Sequence, residues 1–312
     1  MKIAESEWFL SFYRPIFNLH SRLMRFLTSR ASKSRLNIEF HQMMVVIVAW
    51  NEENLIRKQI ELTRKHLKDE DWQLVIVDNS SKAEKRKLIQ QICKEKQITY
   101  LSVPKWINTL AYHRIFFYGM SHGAALNWMF YHYLQFIKPK FFALIDHDCL
   151  PGRDYNLKKA LENKDFYGVD RLKDKSWYLW PGFAIYRFAA VEKAKPDFLP
   201  IYIGKTFLDA GGTNYLKLYQ HYQREEQRFA EVQTVRIQKT KGLLSANDIY
   251  HADCIQRIDN AWIHIINGSN YAKLKGKEKM VKRVLEKVDD NENEGSQQPL
   301  AQRSQINPKA HK

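Results

Sequence analysis

The sequence predicts an α/β fold whose central sheet is mostly parallel and flanked by helices. Apolar runs of strand length alternate with amphipathic helical stretches through the first half of the chain, and each run ends in polar residues that begin a loop. The composition also supports a packed core, because 45% of the 312 residues are hydrophobic and 13% are aromatic. That length allows one large domain or two small ones.

Residues 1–40 form a basic, aromatic segment ahead of the regular pattern. Apolar side chains such as Phe12, Phe17 and Leu23 are interleaved with arginines. The pattern is typical of a basic amphipathic helix on an anionic membrane, and equally of a helix that packs on the domain with a basic outer face. The sequence leaves both alternatives open.

The first two strand–helix units are the most regular part of the chain. Residues 44–49 are apolar on both faces, as a buried parallel strand requires. A helix is predicted to begin after Asn51, with acidic residues at its positive end. Residues 74–77 form a second buried strand that ends at Asp78, and Ser81 with Glu84 has the spacing of a capping box for the next helix.

Two more strands complete the predicted parallel sheet. Residues 98–103 form the third strand, and a long helical stretch over residues 108–137 is expected to break near residues 119–123. Residues 141–145 form a fourth buried strand that leads into Asp146. Ligands of open α/β sheets bind at the carboxyl ends of strands, so the polar residues after these strands are the expected site.

The fourth strand is followed by two aspartates, Asp146 and Asp148, separated by one residue. Extended backbone directs both side chains to the same side. Two hard oxygen donors suit Mg²⁺ or Mn²⁺, with positions left for phosphate oxygens. The alternative is a turn, in which aspartate is also common.

The net charge and the cysteine content limit the classes of binding partner and the cellular compartment that we expect. The net charge of +16 favours anionic partners, namely nucleic acid, an acidic membrane surface or phosphorylated substrates. The chain carries no recognisable nucleic-acid-binding motif, so we expect no nucleic-acid partner. Its three cysteines are far apart, which argues against a disulfide framework and a structural zinc site. We therefore expect a cytoplasmic protein, with peripheral attachment to the inner face of a membrane as an open alternative.

Four motifs, in their order and spacing, resemble the GT-A glycosyltransferases, especially the family-2-like members, over residues 45–270. They are Val-Val-Ile-Val-Ala-Trp-Asn-Glu-Glu at 45–53, Val-Ile-Val-Asp-Asn-Ser at 75–80, Ser-His-Gly-Ala-Ala-Leu-Asn at 121–127 and Leu-Ile-Asp-His-Asp at 144–148. The resemblance implies a Rossmann-like GT-A fold with an irregular C-terminal acceptor half. The chain departs from the usual pattern by lacking Asp-Asp-Gly after the second strand and Gln-x-x-Arg-Trp later, which argues against processive polysaccharide synthesis.

The resemblance also nominates site residues. The positions that it implies for the donor nucleotide and sugar are Ala49, Asn51, Glu53, Asp78, His122, Gly123, Asn127, Asp146 and Gly182. It implies that Asp146 and Asp148 hold the metal, with His264 as a further ligand, although a histidine in an apolar strand is also typical of a hydrogen-bonded core. Asp209, which precedes two glycines, matches the catalytic base but could also cap a turn. Asp170 and Asp174 are the next candidates for the base.

The expected organisation has four parts. Residues 1–40 are the N-terminal helical segment, and residues 41–272 are the catalytic domain, with a donor half over about 41–150 and an acceptor half over about 151–272. Residues 273–288 are predicted to form a basic amphipathic helix, with Val281, Val284, Leu285 and Val288 on one face, which could lie on a membrane or pack on the domain. Residues 289–312 are polar and are predicted to be a disordered tail.

The expected function is metal-assisted transfer of a sugar from a nucleotide-sugar donor to an acceptor hydroxyl, of the cell-surface glycan or glycolipid type and with inversion. The resemblance favours a UDP-sugar donor and a glycan or lipid-linked acceptor. One alternative is a sugar-phosphate nucleotidyltransferase, although the loop after the first strand lacks the glycines that such an enzyme needs. Another is a non-enzymatic basic module that binds nucleic acid or anionic lipid.

Overall fold

The computed structural model describes residues 7–30, 41–111, 119–236 and 254–266, together with positions 281, 282 and 284. The strands are β1 (Met43–Ala49), β2 (Trp72–Asp78), β3 (Thr99–Ser102), β4 (Phe141–Asp146), β5 (Cys149–Pro151), β6 (Phe166–Lys173), β7 (Ser176–Arg187), β8 (Ile201–Ile203), β9 (Thr206–Leu208), β10 (Val232–Arg236), β11 (Cys254–Ile258) and β12 (Trp262–Ile265). The α-helices are α1 (Glu7–Thr28), α2 (Glu53–His66), α3 (Ala83–Glu95), α4 (Lys105–Ala111), α5 (Met120–Met129), α6 (Gln135–Ile137), α7 (Leu157–Leu161), α8 (Phe188–Ala194) and α9 (Asn214–Lys217).

The central sheet has six strands in the order β3-β2-β1-β4-β7-β6. The first four strands of that order are parallel, whereas β7 runs antiparallel to both β4 and β6. The predicted α/β fold with a mostly parallel central sheet is therefore confirmed. The four strands that the sequence predicts lie within one or two residues of the observed bounds.

The sheet is buried on both faces because its strands alternate apolar side chains between two cores. In β1, Met44, Val46 and Val48 face a core shared with α1, α4, α5 and α8. Their neighbours on the strand face a second core shared with α2, α3 and α7. This two-sided burial explains why the parallel strands are continuous hydrophobic runs in the sequence.

A second sheet joins the first at the end of β4. It has the order β10-β11-β12-β5, with antiparallel pairing throughout. Because β5 begins only two residues after β4 ends, the turn at positions 147 and 148 connects the two sheets. β12 pairs with β5 so that His264 lies opposite Cys149. The later half of the chain thus contains more regular structure than the sequence suggests.

Two local predictions need correction or refinement. Ser81 does not cap α3, because Lys82 occupies the cap position without a side-chain bond and the Ser81 hydroxyl accepts a hydrogen bond from Asn51 Nδ2 at 3.1 Å. The helical stretch is broken where the sequence indicates, since α5 begins after Gly119, whose φ of 72° is left-handed. Beyond α5 the helix continues through a π-helical turn, Phe130–Leu134, into α6.

The N-terminal helix α1 packs on the domain, which was one of the two alternatives. Phe17 and Met24 are fully buried in the core, and Phe17 makes edge-on ring contacts with Tyr202 and Phe207. Ser21 Oγ donates a hydrogen bond to the Pro200 carbonyl oxygen at 2.9 Å. Within the described ranges, we find no helix with the length and apolarity needed to cross a bilayer.

Part of the predicted C-terminal helix also packs on the domain. Val281 and Val284 are buried against a cluster that includes Leu55, Leu62 and Leu150. This apolar face therefore contacts the protein, so the membrane alternative for Val281 and Val284 is wrong. Leu285, Val288 and the tail predicted for residues 289–312 lie outside the described residues.

Candidate active site

The turn after β4 brings two carboxylates to the carboxyl edge of the sheet. His147, between them, points inward, and its Nδ1 donates a hydrogen bond to the Val48 carbonyl oxygen at 3.0 Å. Gln59 Nε2 donates to the carbonyl oxygens of Asp146 and Cys149, both at 2.9 Å. Anchored from β1 and α2, the turn has a defined shape, and the Asp146 side chain remains 20% exposed.

The two aspartates of this turn interact electrostatically. Burial, followed by repulsion from Asp148, raises the pKa of Asp146 to about 7. A cation placed between two such carboxylates would relieve both effects, because it neutralises the charge that burial and repulsion disfavour.

β12 places His264 beside this turn. His264 Nε2 lies 3.8 Å from Asp148 Oδ1, while its Nδ1 is 2.9 Å from Gln256 Oε1. An amide oxygen can only accept, so Nδ1 donates to Gln256, and Nε2 is the ring nitrogen that faces Asp148. The Ile265 amide donates to the Asp148 carbonyl oxygen at 2.8 Å, which fixes the histidine relative to the turn.

Carboxylates are the ligand type that a divalent cation such as Mn²⁺ or Mg²⁺ prefers. A metal-binding histidine commonly holds its second ring nitrogen in a hydrogen bond, as His264 does with Gln256. Among the described residues, no group of three or more acidic, histidine or cysteine side chains is arranged to hold a metal ion by itself. Mg²⁺ and similar ions are commonly held by one or two carboxylates together with substrate phosphates, and Asp146 and Asp148 provide that partial set.

Asp209 comes from a distant part of the chain to the same cluster. A Cβ built on Gly119 would lie 2.1 Å from Asp209 Oδ1, so the carboxylate occupies the space beside this glycine at the start of α5. The amide of Ala210 donates to Asp209 Oδ1 at 2.7 Å, and the Asp209 amide donates to the Tyr178 hydroxyl at 3.1 Å. Burial raises the pKa of the Asp209 carboxyl.

His122, in the first turn of α5, connects Asp209 to the aspartates after β4. Its Nε2 lies 3.4 Å from Asp146 Oδ1 and makes no hydrogen bond with the residues that the structure describes. Burial lowers the pKa of His122, and attraction to Asp209 and Asp148 opposes that effect. The structure therefore brings five of the nominated residues together: Asp146, Asp148, His122, Asp209 and His264.

Arg171 is a member of the cluster that the sequence analysis missed. Its positive charge acts to lower the pKa of both Asp146 and Asp209, against the larger effect of burial. Its guanidinium carbon also lies 5.2 Å from the centre of the Trp180 ring. The register between β6 and β7 shifts between Gly168 and Asp170, so sequence alternation alone does not show which side chain faces the site.

Gly182 affects the shape of the site by leaving space for the Trp180 side chain. A Cβ on Gly182 would lie 2.0 Å from the Trp180 ring, so the glycine leaves room for the indole to fold back on its own strand. In this position the indole packs against His264, with ring centroids 4.5 Å apart. Gly182 thus shapes the wall beside the metal-site candidates.

The edge formed by β1 and β2 is closed by hydrogen bonds. Asp78 is fully buried, and its carboxylate accepts from the Ser80 amide at 2.9 Å and from the Tyr100 hydroxyl at 2.8 Å. Asn51 has a φ of 55°, and its amide donates to Ser80 Oγ at 2.8 Å. The structure gives Asp78 and Asn51 roles in holding this loop, and a contact with the nucleoside stays a prediction for both.

Three other nominated residues make contacts within the domain. The Ala49 carbonyl oxygen accepts from the Asn79 amide, and Glu53 pairs with Lys85 at 2.6 Å. A Cβ on Gly123 would lie 2.3 Å from the Phe198 carbonyl oxygen, so Gly123 allows α5 to approach that segment.

Asn127 is fully buried and lies away from the cluster. Its amide donates to Asp197 Oδ1 at 2.9 Å, and its side-chain oxygen accepts from the Phe198 amide at 2.7 Å. The structure does not bring it to the site.

The two fallback candidates for the base are engaged elsewhere. Asp170 forms a salt bridge with Arg224. Asp174 lies in the β6–β7 turn with a φ of 53° and accepts a hydrogen bond from the Thr206 hydroxyl. Neither side chain makes a contact with Asp146 or Asp148 in the part of the chain that the structure describes. Asp209 therefore remains the better placed acid.

The chain is similar in sequence to one known protein family. Residues 44–171 match the family described as glycosyl transferase family 2. That segment runs from β1 to Arg171 and includes both aspartates after β4. No curated protein matches the chain.

Solved structures with a similar backbone include a mannosyltransferase, a galactosyltransferase and TarS. The mannosyltransferase PcManGT from Pyrobaculum calidifontis, in complex with GDP-Man and Mn²⁺, is 16% identical with a TM-score of 0.39, covering 63% of this chain and 58% of its own. TarS of S. aureus is 16% identical with a TM-score of 0.34, covering 50% and 30%. The galactosyltransferase LgtC is 13% identical with a TM-score of 0.35, covering 47% and 58%. The present chain thus spans less than two thirds of the length of each.

Proposed function

We propose that this chain, whose residues 44–171 match the glycosyl transferase family 2 model, is a GT-A glycosyltransferase that moves a sugar from a nucleotide-sugar donor to an acceptor hydroxyl. The observation that carries the proposal is that Asp209, from a later part of the chain, lies in the same cluster as Asp146 and Asp148, at the edge where an α/β sheet binds its ligand. A family match alone does not assign chemistry, whereas a cluster of acids with raised pKa values at that edge supports the assignment.

The reaction is a displacement at the anomeric carbon of the donor sugar. The acceptor oxygen forms a bond to that carbon, the bond to the diphosphate oxygen breaks, and the nucleoside diphosphate leaves with the electron pair. A single displacement of this kind inverts the configuration. The residues at the site must therefore accept the hydroxyl proton and tolerate the charge that develops on the leaving diphosphate.

Asp209 is the residue we assign to accept the proton. Burial raises the pKa of its carboxyl, which makes the carboxylate a stronger base than an exposed aspartate. The Ala210 amide holds Oδ1 at 2.7 Å, so the orientation of the carboxylate is defined before the acceptor arrives. Gly211 and Gly212 follow directly and would let a sugar approach the backbone closely.

Asp146, Asp148 and His264 are the residues we assign to hold Mn²⁺ or Mg²⁺. When bound, the cation would offset the negative charge of the diphosphate. Arg171 supplies a second, permanent positive charge to the same cluster. His122, between Asp146 and Asp209, would lie where the donor sugar and its phosphates meet.

The remaining parts of the proposal concern the substrates. The nucleoside would lie over the β1–β2 edge near Asn51, Glu53 and Asp78, and we expect a UDP-sugar donor. The acceptor would be a glycan or a lipid-linked sugar on the cytoplasmic side of a membrane. The nucleotide of the donor must be identified first, because assays of sugar transfer need the correct donor.

A thermal-shift panel tests the proposal directly. UDP-, GDP-, CMP- and dTDP-sugars are compared with and without Mn²⁺, and hydrolysis of the stabilising nucleotide sugar is then followed by release of the nucleoside diphosphate. We expect one nucleotide to raise Tm only when Mn²⁺ is present. No shift with any donor, together with retention of RNA or DNA on filters, would instead support a nucleic-acid-binding module.

A further inference from the structure

Helix α1 exposes an apolar stripe on the side away from the core. Phe12, Ile16, Leu19, Leu23 and Phe26 are each between 50% and 68% exposed. Their spacing of four and three residues places them on one face of the helix, while Phe17 and Met24 on the other face are fully buried. A single exposed leucine is ordinary on a protein surface, but five large side chains in a row mark an interaction surface.

Helix α4, which packs beside α1, also exposes large apolar side chains. Trp106 and Leu110, one turn apart on α4, are 44% and 46% exposed. Helices α1 and α4 pack against each other, and His20 of α1 lies close to the Leu110 backbone. We call the stripe together with Trp106 and Leu110 the α1–α4 face.

The charged residues of α1 and α4 are almost all positive. Apart from Glu7 at its first position, helix α1 carries arginines and a histidine and no other acid, and residues 105–111 of α4 begin with a lysine and are free of acids. Arg22 and Lys105 are exposed, and Arg30 is exposed with its guanidinium 4.4 Å from the centre of the Phe26 ring. An apolar face bordered mainly by cations is complementary to an anionic lipid surface, where apolar side chains enter the acyl boundary and cations meet the headgroups.

We infer that the α1–α4 face docks the protein on an anionic membrane. The helix lies in the plane of the interface and keeps its buried face on the domain, so both alternatives raised by the sequence hold at once for α1. This arrangement needs no membrane-spanning segment. The surface charge of the membrane strengthens binding at low salt and loses its effect as salt screens it.

Helix α4 also ties this face to the candidate active site. Asn108 Nδ2 donates to the Asn79 carbonyl oxygen at 3.0 Å, and Asn108 Oδ1 accepts from Ser121 Oγ at 3.0 Å. Asn79 follows β2, and Ser121 directly precedes His122. Docking therefore holds the rim of the site near the lipid headgroups, which favours an acceptor presented at the membrane surface. Only this last consequence rests on the proposed function.

Vesicle co-sedimentation of the full chain tests the inference. The probes are vesicles of phosphatidylcholine alone and of equal parts phosphatidylcholine and phosphatidylglycerol. We expect binding to the anionic vesicles only, and a loss of binding in high salt. The double variant Leu19→Ser, Leu23→Ser should reduce the bound fraction by about tenfold or more, since two large apolar side chains no longer enter the interface.

Matched controls lie on the opposite face of the sheet. Leu88 of α3 is also exposed, and Leu88→Ser should leave vesicle binding unchanged. Arg22→Glu should weaken binding by about fivefold or more, whereas Lys87→Glu beside Leu88 changes the net charge equally and should have a smaller effect. Thermal unfolding of each variant shows that the fold is retained.

Three outcomes would overturn the inference. They are vesicle binding that ignores lipid charge and salt, equal losses in the α1 and α3 variants, and a chain that dimerises through Leu19 and Leu23 without binding vesicles. The last would assign the face to a second copy of the chain. A Tm shift with Mn²⁺ and nucleotide, measured on the same samples, reports on the proposed function separately, so either idea can fail while the other stands.

Discussion

The carboxyl ends of β2 and β4 lie at the same edge of one sheet and both carry aspartate, yet their surroundings differ. Asp78 at the end of β2 has no exposed surface, and Ser80 and Tyr100 donate hydrogen bonds to its two oxygens. Asp146 at the end of β4 is partly exposed and faces another acid, Asp148.

The loop after β2 is also tied to its neighbours by a buried arginine. Arg86 donates to the Ser80 carbonyl oxygen at 2.6 Å, to Ser102 Oγ at 2.8 Å and to the Val103 carbonyl oxygen at 2.7 Å. Hydrogen bonds from Gln59, His147 and the Ile265 amide instead hold the backbone of the loop after β4, while its two carboxylates repel each other. A strand-terminal aspartate whose hydrogen bonds are satisfied stabilises the fold, whereas one held beside another acid is available for a cation or a substrate.

Replacement of Asp146 or Asp148 by Ala tests the role of the carboxyl end of β4. We expect it to have the largest effect of all these variants on metal-dependent nucleotide binding. Each variant removes an oxygen donor from the proposed cation site, so metal-dependent nucleotide binding should weaken by ~100-fold or more while the fold is kept. Calorimetric titration with UDP at fixed Mn²⁺ measures it. A double variant that still shows a Mn²⁺-dependent shift in Tm would place the metal elsewhere.

Asp209→Asn separates proton transfer from donor binding. If Asp209 accepts the acceptor proton, the variant should bind donor and Mn²⁺ like the parent and transfer sugar ~100-fold more slowly, the usual scale of general-base catalysis. Steady-state transfer rates at saturating donor provide the measurement. Because asparagine replaces aspartate well in a turn, a rate within a few-fold of the parent would show that Asp209 only shapes the loop.

Asp78→Ala should act mainly on stability, in contrast to the β4 variants. The change leaves the Ser80 amide and the Tyr100 hydroxyl without their buried acceptor, which costs about 1–3 kcal/mol in the free energy of unfolding. Urea unfolding measures that loss, and Tyr100→Phe is the milder control that removes only one of the two bonds. A large loss of nucleotide affinity at unchanged stability would instead support the predicted contact between Asp78 and the nucleoside.

The stability of the metal-free protein and its affinity for Mn²⁺ should depend on pH with opposite signs. Because the pKa of Asp146 is raised to about 7 in the folded protein, the metal-free fold loses stability as pH rises from the usual aspartate range to about 7. Mn²⁺ binds the deprotonated form, so its affinity should rise with pH by about tenfold per unit below pH 7 and then level off. Thermal unfolding between pH 5 and 8 of the parent and of Asp146→Asn would measure both trends, which should be reduced in the variant.

The sequence by itself determined the parallel sheet and the strand that leads into Asp146 and Asp148. Both follow from local patterns: buried strands are continuous apolar runs, and a pair of acids separated by one residue after such a run lies at the carboxyl edge. It also indicated the helix break at Gly119, because glycine is the residue that most readily adopts left-handed backbone.

Tertiary structure decided which of the remaining nominated residues meet. Asp209 reaches the cluster because Gly119, 90 positions earlier, leaves space for its carboxylate. Arg171 faces the same cluster after a register shift in β6 that no alternation of residue types reveals. Asn127, on the same helix as His122, instead turns into the core to hold Asp197. Local patterns specify backbone and burial, whereas these placements depend on contacts between segments far apart in the chain, which only the folded packing brings together.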